Sequence, residues 1–283
     1  MKLEYIAQNG NVLDLWGNGS FKISNIDGLT LANIAMAETT TSNLDGSIIT
    51  NERTDTRSIV IDFTIDDVDV EKVLRNILSY MKPKQSGTLR WTTDERVWEI
   101  GTRVELIEAP RMSAPPVTLQ VSLKCPEPYW SDAKYIIGEI GELVSTHYFM
   151  TDKDEQLFFT EEGQSFGYIS TDRARKFMNE SDTAVGMIIT ITALGEVKNP
   201  ILYNLHGQYI GLNITMQAAD EIIINTSRGD KTVTMGGENI ISKLMRGSTF
   251  LQMETGENAF VIVSDTETTG ACYFSIAYKQ KHV

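Results

Sequence analysis

The residues of this chain that could do chemistry are three histidines (His147, His206 and His282), two cysteines (Cys125 and Cys272) and thirty-eight carboxylates. A zinc site needs His or Cys ligands at short, fixed spacings. No histidine here stands at such a spacing from another histidine or from either cysteine. The glycine patterns of a nucleophile elbow, a phosphate-cradling P-loop and a dinucleotide fingerprint are missing too, so hydrolase, nucleotidase and dehydrogenase chemistry loses its usual support. A glycosidase needs only two carboxylates about 5 to 10 Å apart across a cleft. Asp152, Asp154, Glu155, Glu161 and Glu162 are the candidates. They fall in polar segments, where a solvated loop is the plainer account. "TDKDEQ" at 151–156 also lacks the glycine and later ligands of a calcium-binding loop. No catalytic residue, cofactor or metal ligand is assigned, and the chain reads as a non-enzyme.

Other short patterns reduce to turns. Arg228-Gly229-Asp230 lies between "EIIIN" and "KTVTM", where a tight hairpin requires a glycine whatever its neighbours. Gly-Glu-Asn occurs at 237–239 and again at 256–258, each time before an apolar run. Glycine reaches positive φ, and asparagine tolerates it or bonds its own backbone, so each tripeptide suits a chain reversal. Asn18, Asn179, Asn213 and Asn225 begin Asn-x-Ser/Thr triplets, which carry meaning only in a secreted protein. Tyr129, Trp130, Tyr148, Phe158, Phe159, Phe166 and Tyr168 are the aromatics that could stack on sugars. Core or subunit packing is the commoner use of such residues.

A formal charge of −13 excludes a surface built to neutralise phosphates, which needs clustered Lys and Arg. "MKLEYIAQNG" has no apolar core of signal-peptide length, so synthesis in the cytoplasm is expected. "VGMIITITAL" at 185–194 is too short for a membrane-spanning helix and reads as a buried strand. Both cysteines sit among strand formers, where a free thiol packs as a small apolar residue, and a reducing compartment disfavours a disulfide.

The elements that must position these residues are mostly strands. "RSIVIDFTI" at 57–65 alternates Ile59, Ile61, Phe63 and Ile65 on one side with Ser58, Val60, Asp62 and Thr64 on the other, the period of a half-buried strand. Residues 88–110 and 116–126 supply further strands. One helix is expected at about 68–81, where Val70, Val73, Leu74, Ile77, Leu78 and Met81 recur at three and four, Asp67 or Asp69 caps the start, and Pro83 stops it. Residues 35–56 are polar, threonine-rich and contain Asp-Gly, which suits a long hairpin, an arm reaching a neighbour or an ordinary flexible loop. Two cores are expected from 283 residues. The pattern changes after "CPEPYWSDAKY", which sets the domains at 1–134 and 135–283. From 186 onward short strands and frequent turns predict a β-sandwich or jelly roll.

In order, "RSIVIDFTI", the helix ending in "YMKPKQSGTLRW", "VSLKCPEPYW", "ITALGEVKNPILYNL", "DEIIINTSRGDKTVT", "GSTFLQMETGENAFVIV" and "CYFSIAYKQKH" resemble the distal tail protein family of siphophages and prophages. The resemblance implies a mainly β chain: a tail-tube-like β-sandwich with one helix, then a galectin-like sandwich. It implies a structural virion protein of the phage tail tip, synthesised in the bacterial host cytoplasm. Six copies would form a ring that joins the tail tube to the baseplate and surrounds a channel through which DNA passes unbound. The implied partners are the homo-hexamer, the tail tube protein, the tape-measure protein and a tail-associated lysin or receptor-binding protein, with no membrane and no cofactor. The candidate subunit-interface residues are Thr40, Asn43, Asp45 and Arg53 in the arm, Arg57 after it, and Tyr129 and Trp130 at the Cys-Pro-Glu-Pro corner. The competing expectation is a carbohydrate-binding, lectin-like module in the second half.

Overall fold

The computed structural model describes residues 2–16, 19–40, 45–66, 69–82, 84–108, 116–141, 143–145, 167–169, 174–265 and 272–283. It divides into two compact units, Met1–Ala133 with Lys281–Val283, and Lys134–Gln280.

The first unit contains β1 (Lys2–Ala7), β2 (Val12–Asp14), β3 (Lys22–Asp27), β4 (Ile34–Thr39), β5 (Ile48–Thr54), β6 (Arg57–Ile65), α1 (Val70–Tyr80), β7 (Ser86–Thr92), β8 (Val97–Glu108), β9 (Val117–Cys125) and β10 (Trp130–Asp132). The sheet runs β2-β1-β7-β8-β9-β6-β3, with β10 paired to β8. All the ladders are antiparallel, and β6 meets β9 over its full length, from Arg57 opposite Cys125 to Ile65 opposite Val117. Ile59, Ile61, Phe63 and Ile65 are buried as their alternation requires. They share one core with Leu3, Tyr5, Leu89 and Leu119, so strands from both ends of the sheet enclose the same interior. The helix seals it with Val73, Ile77 and Met81. Asp69 caps the helix by accepting from Lys72 N at 3.1 Å. Asp67 and Pro83 lie outside the described residues.

The second unit contains β11 (Ile136–Ile140), β12 (Leu143–Ser145), β13 (Gly167–Ile169), β14 (Ala174–Asn179), β15 (Met187–Ala193), β16 (Val197–Lys198), β17 (Ile201–Asn204), β18 (Tyr209–Gly211), β19 (Thr215–Met216), β20 (Glu221–Asn225), β21 (Thr232–Met235), β22 (Glu238–Asn239), β23 (Gly256–Val263) and β24 (Cys272–Tyr278). Its two main sheets run β11-β24-β15-β20-β21-β22 and β14-β23-β17-β18. Met187, Ile189 and Ile191 of one sheet share a core with Leu202, Phe260 and Ile262 of the other, which makes a sandwich.

A last strand, β25 (Lys281–His282), belongs to the first unit. Trp130 stands opposite His282 and Ser131 opposite Lys281. The second unit is therefore an insertion between β10 and β25 of the first, which the two-stretch division at 134 does not contain. Lys281 pairs with Glu127, and the His282 ring meets Trp98 edge-on at 5.1 Å.

Candidate functional site

The feature of the first unit that its own core does not explain is the hairpin β4–β5. Among the described residues these strands pair only with each other, from Ile34 opposite Thr54 to Thr39 opposite Ile48. A register shift between Ala37 and Glu38 leaves Thr50 as the extra residue, and its hydroxyl donates to Ala37 O at 3.0 Å. Counting faces across that bulge puts Ile34, Met36 and Ile49 on one side of the ribbon, together with their neighbours Glu38, Glu52 and Thr54. They are 58%, 50% and 47% exposed. The polar arm expected at 35–56 is thus a hairpin that carries an apolar stripe beside two carboxylates on one face.

Its base is braced. Asp55 N donates to Asn33 O at 2.7 Å, and Tyr129 Oη donates to Thr54 Oγ1 at 3.4 Å. Below these, the Leu29 carbonyl accepts from Arg57 Nη1 at 2.7 Å and from Trp130 Nε1 at 3.0 Å. Gly28 makes that approach possible: at φ +83° it lies so close that a Cβ would stand 2.1 Å from Ser58 O. Arg57 is 1% exposed, and its guanidinium sits 5.9 Å from the Trp130 ring centre. Its Nε and Nη2 have no hydrogen-bond partner among the described residues. Burial lowers the Arg57 pKa, with the Cys125 thiol opposing. The same burial pushes the Cys125 thiol up to about 12, with the Arg57 charge opposing, so this cysteine is an inert packing group.

Of the candidate interface residues, Thr40 and Asp45 lie exposed near the hairpin end and Arg53 is exposed on β5. Asn43 lies outside the described residues. Arg57, Tyr129 and Trp130 come together at the hairpin base, Arg57 and Trp130 in the interior. The buried Arg57 and Trp130 and the partly buried Tyr129 hold the root of the arm. Sequence reasoning missed the exposed Ile34, Met36 and Ile49. The spacing of Ile34 and Met36 was the available signal, because alternate residues of a strand share a face, while the bulge at Thr50 concealed which of Ile48 and Ile49 joins them.

The remaining candidates are structural. The Arg-Gly-Asp tripeptide is the β20–β21 turn, with Gly229 at φ +85° and Asp230 N donating to Ser227 O at 3.1 Å. The Gly-Glu-Asn at 256 opens β23: Gly256 has φ +93°, and the Asn258 amide donates to Glu254 O and Gly256 O while accepting from Glu254 N. At 237, Gly236 and Gly237 both have positive φ, and Asn239 accepts from Ile241 N. Both tripeptides are turn chemistry. Cys125 is a free, buried thiol. His206 is an exposed turn residue whose N–H donates to Asn204 Oδ1. His147, Asp152, Asp154, Glu155, Glu161, Glu162, Tyr148, Phe158, Phe159 and Phe166 lie outside the described residues, as does the Tyr168 side chain. Among the described residues no group of three or more His, Cys, Asp or Glu is arranged to hold a metal ion. No described helix is long and apolar enough to cross a membrane.

Comparison with known proteins gives one consistent result. A family described as "Phage tail protein RIFT-related domain" matches residues 8–125, and one described as "Siphovirus-type tail component, C-terminal domain" matches residues 180–282. No curated protein matches the chain. Among solved structures, the fold resembles that of the Dit protein (gp 19.1) of phage SPP1, described as a paradigm of hub adsorption apparatus in phages infecting Gram-positive hosts. The TM-score is 0.70 at 12% identity, covering 100% of this chain and 99% of that one. It also resembles a chain of the phage P2 baseplate in its activated conformation with Ca, with TM-score 0.56 at 11% identity, covering 99% of this chain and 98% of that one.

Proposed function

The chain belongs to the siphovirus distal tail protein family, and from that premise we propose that it is a structural tail-tip protein whose copies close into a hexameric ring. The ring is a hub: the tail tube and tape-measure proteins meet it on one side, and a tail-associated lysin or receptor-binding protein on the other. It works in the virion, after assembly in the host cytoplasm. The observation that supports this reading is the β4–β5 hairpin. An isolated two-stranded ribbon is marginal in water, and Ile34, Met36 and Ile49 leave it an exposed apolar stripe. Laying that stripe on the next copy satisfies both, and repeating the contact by rotation closes a ring. Thr40, Asp45 and Arg53 then form the polar rim of the contact, while Arg57, Tyr129 and Trp130 fix the angle at which the arm leaves its unit. DNA threads the channel without adhering because the acidic groups of a chain of net charge −13 outnumber its cations.

The test is assembly of the full chain, alone and with tail tube protein, followed by mass photometry. The expected result is a sixfold species that the double change Ile34→Asp with Ile49→Asp reduces to single copies, with an unaltered circular dichroism spectrum. Single copies of the unaltered chain under every condition, or a ring that survives both aspartates, would overturn the reading.

A further inference from the structure

A ring closed by the arm needs an acceptor on the next copy. The sheet of the first unit has two margins, β3 and β2. β3 is guarded: a bulge falls between Ile23 and Asn25, and the charged Lys22 and Asp27 stand at its two ends. Bulges and charges keep an edge from pairing with another chain. β2 is unbulged, and among the described residues it pairs with β1 alone. Ala7 N donates to Asn11 O at 2.8 Å and Leu15 N to Leu3 O at 2.9 Å. Alternation along that ladder turns the N–H and C=O of Val12 away from β1. Leu13 and Leu15 enter the core with Val73 and Ile77 of the helix. Val12 and Asp14 point the other way. Val12 is 46% exposed, and Trp16, two residues past Asp14, is 47% exposed.

The arm presents a matching edge. Asp55 N donates to Asn33 O, so alternation from that bonded pair turns the N–H and C=O of Ile34 and Met36 outward from the hairpin. Outward backbone and exposed stripe therefore belong to the same residues. Residues that exchange bonds across an antiparallel pair carry their side chains on one face. Laying β4 against β2 thus puts the stripe on the Val12 side in every register. We infer that β2 is the acceptor of the arm: β4 of one copy adds to the β2 edge of the next, with Ile34 and Met36 against Val12 and Trp16, which rests on the ring proposed above and supplies its other half. Donor and acceptor are different parts of one chain, so the contact runs head to tail and repeats by rotation. Asp14 on the acceptor face and Glu38 and Glu52 beside the stripe carry the same sign. Backbone pairing and apolar cover hold the contact against that repulsion, and salt, by screening it, favours assembly.

The experiment compares full chains by mass photometry and sedimentation. Val12→Pro removes only an outward N–H and leaves the bonds to β1 in place. Val12→Lys with Trp16→Lys removes the apolar cover and keeps the backbone, and it decides the matter if the proline alters the circular dichroism spectrum. Each is expected to raise the concentration needed for the sixfold species by about tenfold or more, and added salt to lower it for the unaltered chain. Val12→Pro keeps its arm, while the chain with Ile34→Asp and Ile49→Asp keeps its β2. An equal mixture of the two is expected to form pairs that neither forms alone and that do not grow into rings. A sixfold species that resists both β2 changes but yields to the arm aspartates would overturn this inference and leave the ring standing. Single copies of the unaltered chain under every condition would overturn both. A mixture that stays single, or assembly that added salt weakens, would also overturn the β2 assignment.

Discussion

In the second unit, buried polar side chains finish the backbone at several turns. The Asn179 amide donates to Met253 O at 2.9 Å and to Glu254 O at 3.2 Å, while its oxygen accepts from Ser181. Thr226 Oγ1 accepts from Met187 N at 2.8 Å, and Asn258 closes the turn into β23. In the first unit the comparable place is held by one guanidinium, which satisfies Leu29 O and leaves two of its own donors without partners. Neutral amides with every bond made cost little to bury, whereas a charge with open donors is expensive. The second unit is built as a finished sandwich. The first accepts a local cost in order to fix Gly28 and Leu29 beneath a hairpin that its own core does not cover.

If the units are separate cores, each should melt on its own contacts, and this is the largest effect expected. Phe63 and Phe274 are both fully buried, one in each core. Phe63→Ala and Phe274→Ala should each cost about 3 to 5 kcal/mol. Calorimetry should show Phe63→Ala lowering one transition and Phe274→Ala the other. A single transition shifted by either change would break the comparison, because the cores would then unfold as one.

Backbone strain separates the units by a smaller margin. Gly28→Ala forces both a positive φ and a Cβ at 2.1 Å from Ser58 O, which should cost about 3 kcal/mol from strain and overpacking together. Gly256→Ala meets the same φ problem at +93° with nothing within 4 Å. It should cost about 1 kcal/mol. Urea titration of the two variants reads the difference, and equal losses would show that the close approach at Ser58 is relieved by movement of the hairpin root.

These contrasts also explain what the sequence disclosed. Alternation in "RSIVIDFTI" placed Ile59 to Ile65 correctly because a half-buried strand has a strict period of two. The helix was legible from its three-and-four spacing and its Asp69 cap, to within two residues at its start. Gly256 and Asn258 announced their turn because few other residues adopt that geometry. The buried Arg57 was not legible: a strand-initial arginine between Thr56 and Ser58 reads as solvated, and its acceptors arrive from residues 28 and 29, far away in sequence. The stripe on the arm was hidden because the bulge at Thr50 breaks the alternation that would have displayed it. Lys281 and His282 gave no sign of returning to the first unit, since a two-residue strand carries no period at all.

The finest contrast lies between Asn179 and Arg57. Removing the amide with Asn179→Ala strands the carbonyls of Met253 and Glu254 in a buried site, which should cost about 1 to 3 kcal/mol. Arg57→Met forfeits one good hydrogen bond but also removes a charge whose Nε and Nη2 are unpartnered, so the two changes offset to within about 1 kcal/mol. The arm should nevertheless respond, because Leu29 O is then held by Trp130 Nε1 alone. Amide exchange at residues 48–54 should therefore quicken in Arg57→Met and stay unchanged in Asn179→Ala. A loss of several kcal/mol in Arg57→Met would mean that its open donors find acceptors in the folded protein, and the asymmetry between the units would disappear.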